Sequence, residues 1–244
     1  MSTVASASPR QLARTAGALY LVNIVLGAFA IGVVPAMLAV PGDAAATAHQ
    51  IVTHEPLYRA GIVAHLVVTL TNVPLAVLFY DLFKVVNRRV ALLVVFFTLV
   101  GTAVEAAGLR DQFAPVVLLG SDPYASALPA AQLQALAYLP RDLTPIGYSV
   151  DTVFFGCYAV CIGYLVLRST FIPGIIGALM AIDGLSYVGY SVANLLAPGF
   201  AGHLVPWIQL PVLLGEGSLC LWLLIVGLDV RRWRAWPAPA EAAA

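Results

Sequence analysis

Charge is what this chain has least of. Only 10% of its 244 residues are Asp, Glu, Lys or Arg, against about a quarter in an ordinary soluble domain. The formal net charge is zero, with no basic run that would hold nucleic acid and no acidic tail. Cysteine is scarce as well. Cys157, Cys161 and Cys220 all fall in apolar stretches, where thiols act as small core hydrophobes and build no disulfide framework. There is no HxxxH or HxxE pair, so neither a metal nor any other cofactor is expected. GEGSL at 215–219 is not the GxSxG elbow of a hydrolase.

What is abundant is hydrophobicity, at 61% of the residues. The composition is that of an integral membrane protein, all-α, and six apolar segments of spanning length follow one another. The first, Thr15 to Val40, is about 25 residues long, beyond the 7–15 of a signal-peptide core, so it reads as an uncleaved first span. The second runs from Leu57 to Lys84, the third from Val90 to Leu109, the fourth from Leu143 to Leu167, the fifth over 172–200 and the sixth from Val205 to Leu228. Residues 1–14 form an N-terminal segment, and 229–244 a tail expected to be disordered beyond Trp236. Between the spans, 41–56 predicts a short surface helix capped by Asp43. PAAQLQALAYLP (129–140) predicts a second, set off from the fourth span by Pro140 and Pro145.

Six spans put both termini on one face. Arg10, Arg14, Lys84, Arg88, Arg89, Arg168, Arg231, Arg232 and Arg234 fall on that face, and only Arg59, Arg110 and Arg141 on the other. The positive-inside rule makes the first face cytoplasmic and places the two short helices on the outer face of the cell membrane.

Five spanning segments carry an ionisable group that has no ordinary place there: His65, Glu105, Asp151, Asp183 and Glu216. With a rise of about 1.5 Å per residue, all five fall in the central or outer half of the bilayer. Helical phase groups them further. Asp183, Tyr187, Tyr190 and Asn194 form one stripe; Thr98, Thr102, Glu105 and Gln112 a second; Thr144, Tyr148, Asp151 and Phe155 a third; and His65, Thr69 and Asn72 a fourth. Lipid satisfies none of these groups, so the stripes must face protein or water. Each mid-membrane carboxylate costs about 2.5–3.5 kcal/mol on insertion scales. Only Arg59, Arg110 and His65 stand near to offset four of them, so some must be neutralised by a proton. Apolar packing or a neutral amide would hold helices together at less cost.

RTAGALYLVNIVLG (14–27), PGDAAATAHQI (41–51), LYRAGIVAHLV (57–67), GYLVLRSTFIPGIIGALM (163–180), NLLAPG (194–199) and LLGEGSLCLWLLIVG (213–227) together resemble the bacterial multi-pass family called domain of unknown function 4386. The resemblance implies a multi-helix membrane protein with Glu216 inside a family segment. It also sets His65 apart, since that position is often acidic in the family. DLTPIGYSVDTVFFG (142–156) departs from the family's more histidine- and glycine-rich version. No activity comes with the family.

The residues themselves point to an acidic and aromatic pocket that works on a lipophilic small molecule drawn from membrane lipid. The expected chemistry is acid-initiated cyclisation or isomerisation of the isoprenoid type, analogous to that of membrane terpene cyclases. Asp183 or Glu216 would be the proton donor, with Glu105, Asp151 and His65 as base or orienting groups. Tyr187, Tyr190, Asn194, Asn72, Tyr148, Phe155, Arg110 and Arg59 would surround the substrate. A carrier or receptor using the same acids is the alternative, and a purely structural membrane protein the third reading. No oligomeric state is legible.

Overall fold

The computed structural model describes residues 8–120 and 122–236, and among them every regular element is helical. The expected disorder beyond Trp236 and the first seven residues lie outside the described residues. Six helices are long and apolar enough to cross a membrane: Pro9–Leu38, Glu55–Phe83, Arg88–Gly120, Ala130–Arg168, Gly174–Leu196 and Trp207–Val226.

The first span is α1 (Pro9–Gly27), a π-helical turn (Ala28–Val33) and α2 (Val34–Leu38). Its start is a capping box in which Ser8 and Gln11 satisfy each other's backbone amides. The short helix α3 (Ala44–Thr53) is capped by Asp43, whose Oδ1 accepts from the Ala46 amide at 2.8 Å, as the sequence indicates. The second span, α4 (Glu55–Phe83), runs through Pro74. Asn87 closes the turn after it and caps α5 (Arg88–Asp111) by accepting from the Arg89 and Val90 amides. Two short helices follow, α6 (Ala114–Gly120) and α7 (Asp122–Ala127). Next come α8 (Ala130–Arg168), α9 (Gly174–Leu196), α10 (Pro198–Leu221) with a π-helical end (Trp222–Val226), and α11 (Val230–Arg234).

One expectation changes here. The amphipathic stretch 129–140 is not a separate helix but the first turns of α8, which continues through Pro140 and Pro145 for 39 residues. A proline costs a helix one hydrogen bond and a steric clash, so Pro140 and Pro145 leave the Leu136 and Arg141 carbonyls without their helical amide donors. Thr144 donates to the Pro140 carbonyl at 2.8 Å, and Ser149 to that of Pro145 at 2.9 Å. Asn194 reaches across from α9 to the Pro145 carbonyl at 3.2 Å.

Each spanning helix packs on the next, and the last packs on the first, so the bundle closes as a ring. Glycines set the tightest approaches. A Cβ on Gly17 would lie 2.5 Å from the Leu224 amide nitrogen, so α1 lies directly against the π-helical end of the last span. Gly227 sits over Arg10, which puts the first and last described helices at the same end of the bundle. Between α8 and α9, Gly156 meets Gly184 and Gly163 meets Gly177, each pair carbonyl to Cα.

The apolar core fills the half of the bundle near the termini, around the fully buried Phe79, Leu82, Phe83, Ile162, Met180 and Leu223. Phe79 holds Tyr20 edge-on at 5.9 Å and Tyr158 at 6.1 Å. Outside, a belt that includes Leu70, Ile175, Leu185 and Leu213 is left open, the pattern of a surface solvated by hydrocarbon. The buried polar side chains gather in the middle and in the half away from the termini.

Candidate functional site

The centre of the bundle holds an acid pair. Asp183 on α9 is 0% exposed, and neither carboxylate oxygen has a hydrogen-bond partner. Its neighbour across the interface is Gly215 of α10, where a Cβ would fall 2.7 Å from the Asp183 Cβ. Only glycine lets α10 come this close, and the next residue, Glu216, is thereby brought to act on Asp183 as its neighbouring charge. Four tyrosines lie within electrostatic reach of Glu216: Tyr20 of α1, Tyr148 and Tyr158 of α8, and Tyr187 of α9. The Tyr20 hydroxyl is buried and unbonded although it faces this carboxylate. Two acids and four phenols from four helices thus share one interior region.

A second cluster forms a hydrogen-bonded chain across α1, α4 and α5. His65 Nε2 lies 2.8 Å from Glu105 Oε1, with the two side chains only 10% and 9% exposed. The other Glu105 oxygen accepts from Asn72 Nδ2 at 3.4 Å. Asn72 in turn accepts from Asn23 Nδ2 at 2.6 Å, and Asn23 accepts from the Thr71 hydroxyl. On the other side of the imidazole, Gln112 Nε2 stands 3.3 Å from Nδ1. With that amide donating, the ring proton sits on Nε2 and is directed at Glu105. Tyr58 closes the chain by donating to the Gln112 carbonyl at 2.7 Å.

Asp151 stands between the clusters. It is 8% exposed, its Oδ1 has no partner, and its charged neighbour is Glu105. Tyr148, one turn away on α8, feels both Asp151 and Glu216. The five ionisable groups picked from the sequence therefore divide into Asp183 with Glu216, His65 with Glu105, and Asp151 between them.

The remaining residues singled out from the sequence are placed differently. Asn194 donates to Ser149 Oγ at 2.8 Å and clamps α9 to α8. Phe155 covers Gly101 of α5. Tyr190 lines a cavity of ≈ 400 Å³ between α9 and α10, together with Trp207 and Phe200. Arg59 is paired with Glu55 at 2.6 Å, and Arg110 with Asp111 at 3.3 Å on the surface, so the structure brings neither guanidinium to the acids. Among the described residues, no three His, Cys, Asp or Glu side chains are placed to hold a metal ion, and the cysteines are free. Tyr20, Tyr158, Asn23 and Tyr58 are members that sequence reasoning left out, whereas Gln112 already stood on the Glu105 stripe. Tyr20 and Asn23 had a signal, one turn apart on α1.

Six apolar helices closed around buried acids define a multi-pass α-helical membrane protein. The chain belongs to the family described as Domain of unknown function (DUF4386), which it matches over residues 15–227. No curated protein and no solved structure matches it.

Proposed function

We propose that the protein is an intramembrane enzyme carrying out proton-initiated isomerisation or cyclisation of a lipophilic alkene, with Asp183 as proton donor and Glu216 as its partner acid. The observation that carries this reading is the Asp183 carboxyl group, wholly buried with both oxygens unbonded. A group retained only to join helices would be expected to have a partner, since burial without one is a net cost. In its protonated form Asp183 gives H⁺ to a substrate double bond. The π electrons become the new C–H bond, and the adjacent carbon becomes cationic. The faces of Tyr20, Tyr158 and Tyr187 stabilise that cation, and each such contact is worth about 0.5–2 kcal/mol in a desolvated site. A carboxylate of the pair then removes a proton from a neighbouring carbon and restores an alkene, so no proton is consumed.

The reaction leaves a record that does not require the substrate to be known. Purified protein is incubated in D₂O with lipids extracted from the host membrane, and deuterium in apolar products is followed by mass spectrometry. The wild-type chain should place deuterium on carbon in at least one lipid, and an Asp183→Asn, Glu216→Gln double variant should not. Equal labelling by the two proteins, or none by the wild type, would falsify the proposal.

In the same reading both termini face the cytoplasm, α3 and the first turns of α8 lie at the opposite surface, and the His65–Glu105 chain opens outward. The support is the charge asymmetry, with three-quarters of the Lys and Arg residues at the terminal end. A green fluorescent protein fused at the C-terminus should fluoresce, and alkaline phosphatase at the same place should be inactive. The reverse pattern would turn the bundle over.

A further inference from the structure

The seam between α9 and α10 is tight at one level and open beyond it. At the acid pair a Cβ on Gly215 would fall 2.7 Å from the Asp183 Cβ, so the helices touch there. Toward the α9–α10 turn the same seam widens into the cavity of ≈ 400 Å³ that Tyr190 lines. Its floor on α9 is Ser186, Gly189 and Ala193, small residues on one side of the helix. A Cβ on Gly189 would meet nothing within 4 Å. Its wall on α10 is Phe200, Leu204 and Trp207, and Trp207 is 72% exposed. From Gly202 to Leu214 none of the described residues of α10 is buried, so protein covers little of this stretch.

The chemistry of the groove says what fits it. Its volume lies within the range of about 300–1,000 Å³ found for small-molecule sites, and none of its lining residues is charged. The Ser186 hydroxyl already donates to the Ile182 carbonyl at 2.8 Å, so the floor offers apolar surface. No Lys or Arg occurs between Arg168 and Arg231, so neither α9 nor α10 brings a cation for a phosphate or carboxylate head. His203, near the mouth, keeps Nδ1 on the Gly199 carbonyl at 3.0 Å. The groove also has a direction. Its floor extends about 10 Å along α9, and Asp183 lies one further turn inward, about 4.5 Å. Because the helices run with the lipid chains, an elongated molecule enters the groove from the bilayer without turning. Asp183 is 0% exposed, so the groove stops short of the acid and holds the molecule beside it.

We propose that this groove docks a neutral, elongated lipophile of the isoprenoid alcohol type, with its uncharged head at the Phe200 end and its chain running inward toward the acid pair. This names the substrate class of the acid chemistry proposed above, and it rests on that reading for the isoprenoid chain and its direction. Protonation of an alkene needs a substituted double bond to carry the cation, which an isoprenoid chain has and a saturated chain lacks. A diphosphate ester of the same chain is disfavoured, because its charge finds no counter-ion on either helix.

The test is photolabelling of the purified full-length protein in phosphatidylcholine vesicles. The probe is geranylgeraniol carrying a diazirine at its hydroxyl end, and mass spectrometry reads the labelled peptides. Label should concentrate between Phe200 and Trp207. Excess geranylgeraniol should remove it, and geranylgeranyl diphosphate should compete more weakly by about tenfold or more. Gly189→Phe sets a ring on the floor and should cut labelling by about tenfold or more. Gly147→Phe on α8, also open at its Cβ, should label like wild type, as should Asp183→Asn with Glu216→Gln. Label spread evenly over the lipid-facing helices would overturn the proposal, because bulk lipid then covers the groove. Equal competition by the diphosphate would overturn the neutral head. Chain-to-chain cross-linking through Ala193→Cys, with no label in the groove, would give the place to a second copy and overturn it too. Should Gly189→Phe not fold, Trp207→Ala decides, and wild-type labelling of that variant rejects the groove. The two readings fail separately. Groove labelling with no deuterium in any lipid overturns the acid chemistry and leaves the docking groove. Deuterium placed by Gly189→Phe at the wild-type rate overturns the groove as the substrate's seat and leaves the chemistry.

Discussion

Asp183→Asn is expected to make the protein more stable and inactive. The amide has the shape of the carboxylate and enters the same space beneath Gly215, so packing is unchanged. What changes is the energetic burden of an ionisable group with 0% exposure and no bonded oxygen. On insertion scales an aspartate at mid-membrane costs about 2.5–3.5 kcal/mol, and the amide, still polar and still unbonded, relieves only part of it, about 1–2 kcal/mol. For a chain of this size that corresponds to a midpoint rise of roughly 2–8 °C in a thermal scan. The same variant should lose deuterium labelling of lipid. Gain of stability with loss of activity is the behaviour of a site held against its own folding cost. If the variant melts below wild type, Asp183 is instead a structural partner, and the catalytic proposal loses its main support.

Gly184→Leu should have the largest destabilising effect of any single change in the bundle. A Cβ at Gly184 would lie 2.4 Å from the Gly156 carbonyl oxygen and 2.7 Å from the Val160 amide nitrogen. Both are backbone atoms of α8 and have no rotamer to move into. Even alanine must push the helices apart, and leucine adds three carbons more. Overpacking of an ordinary core costs about 1–3 kcal/mol. Here the obstruction is main chain and it displaces the whole α8–α9 seam, so we expect more than about 4 kcal/mol and no monodisperse protein after solubilisation. The control is Gly147→Leu on α8 itself, where a new Cβ meets nothing within 4 Å. That variant should elute and melt like wild type. Should Gly184→Leu behave as the control does, the seam is not closed as described.

The two variants bear on how much of the architecture was written in the order of residues. The six spans, the Asp43 cap and the clustering of ionisable groups away from the terminal end follow from hydropathy, capping chemistry and helical phase. All of these are local properties. The Asp183–Tyr187 stripe was legible for the same reason. Its continuation was not: Tyr190 turns to the α9–α10 cavity and Asn194 to Ser149, because helix neighbours rather than helix phase decide which end of a stripe meets what. Arg59 and Arg110 were drawn toward the acids by counting charges. In the fold each has an acidic partner within four residues, and short-range pairing prevails over a desolvated reach. Pro140 and Pro145 read as breaks because sequence shows the lost amides but not the packing of α8 against α5 and α9 on either side of it. The glycine seam did have a signature that composition obscured. Gly156 and Gly163 are a heptad apart, as are Gly177 and Gly184, so each pair presents one bare face.

The seat of Gly17 against Leu224 has a consequence for how the molecule is made. The first of the six spanning helices has a close backbone partner in the sixth, with Arg14 also donating to the Ile225 carbonyl at 3.2 Å. Until the sixth span is threaded into the bilayer, α1 packs on α4 and the ring stays open between the first span and the last. A nascent chain stalled before residue 222 would carry Asp183 and Glu216 in a bundle whose seam with α1 at Leu223 and Leu224 is not yet closed. Closure of the bundle around the acid pair is thus tied to docking of the sixth span against the first.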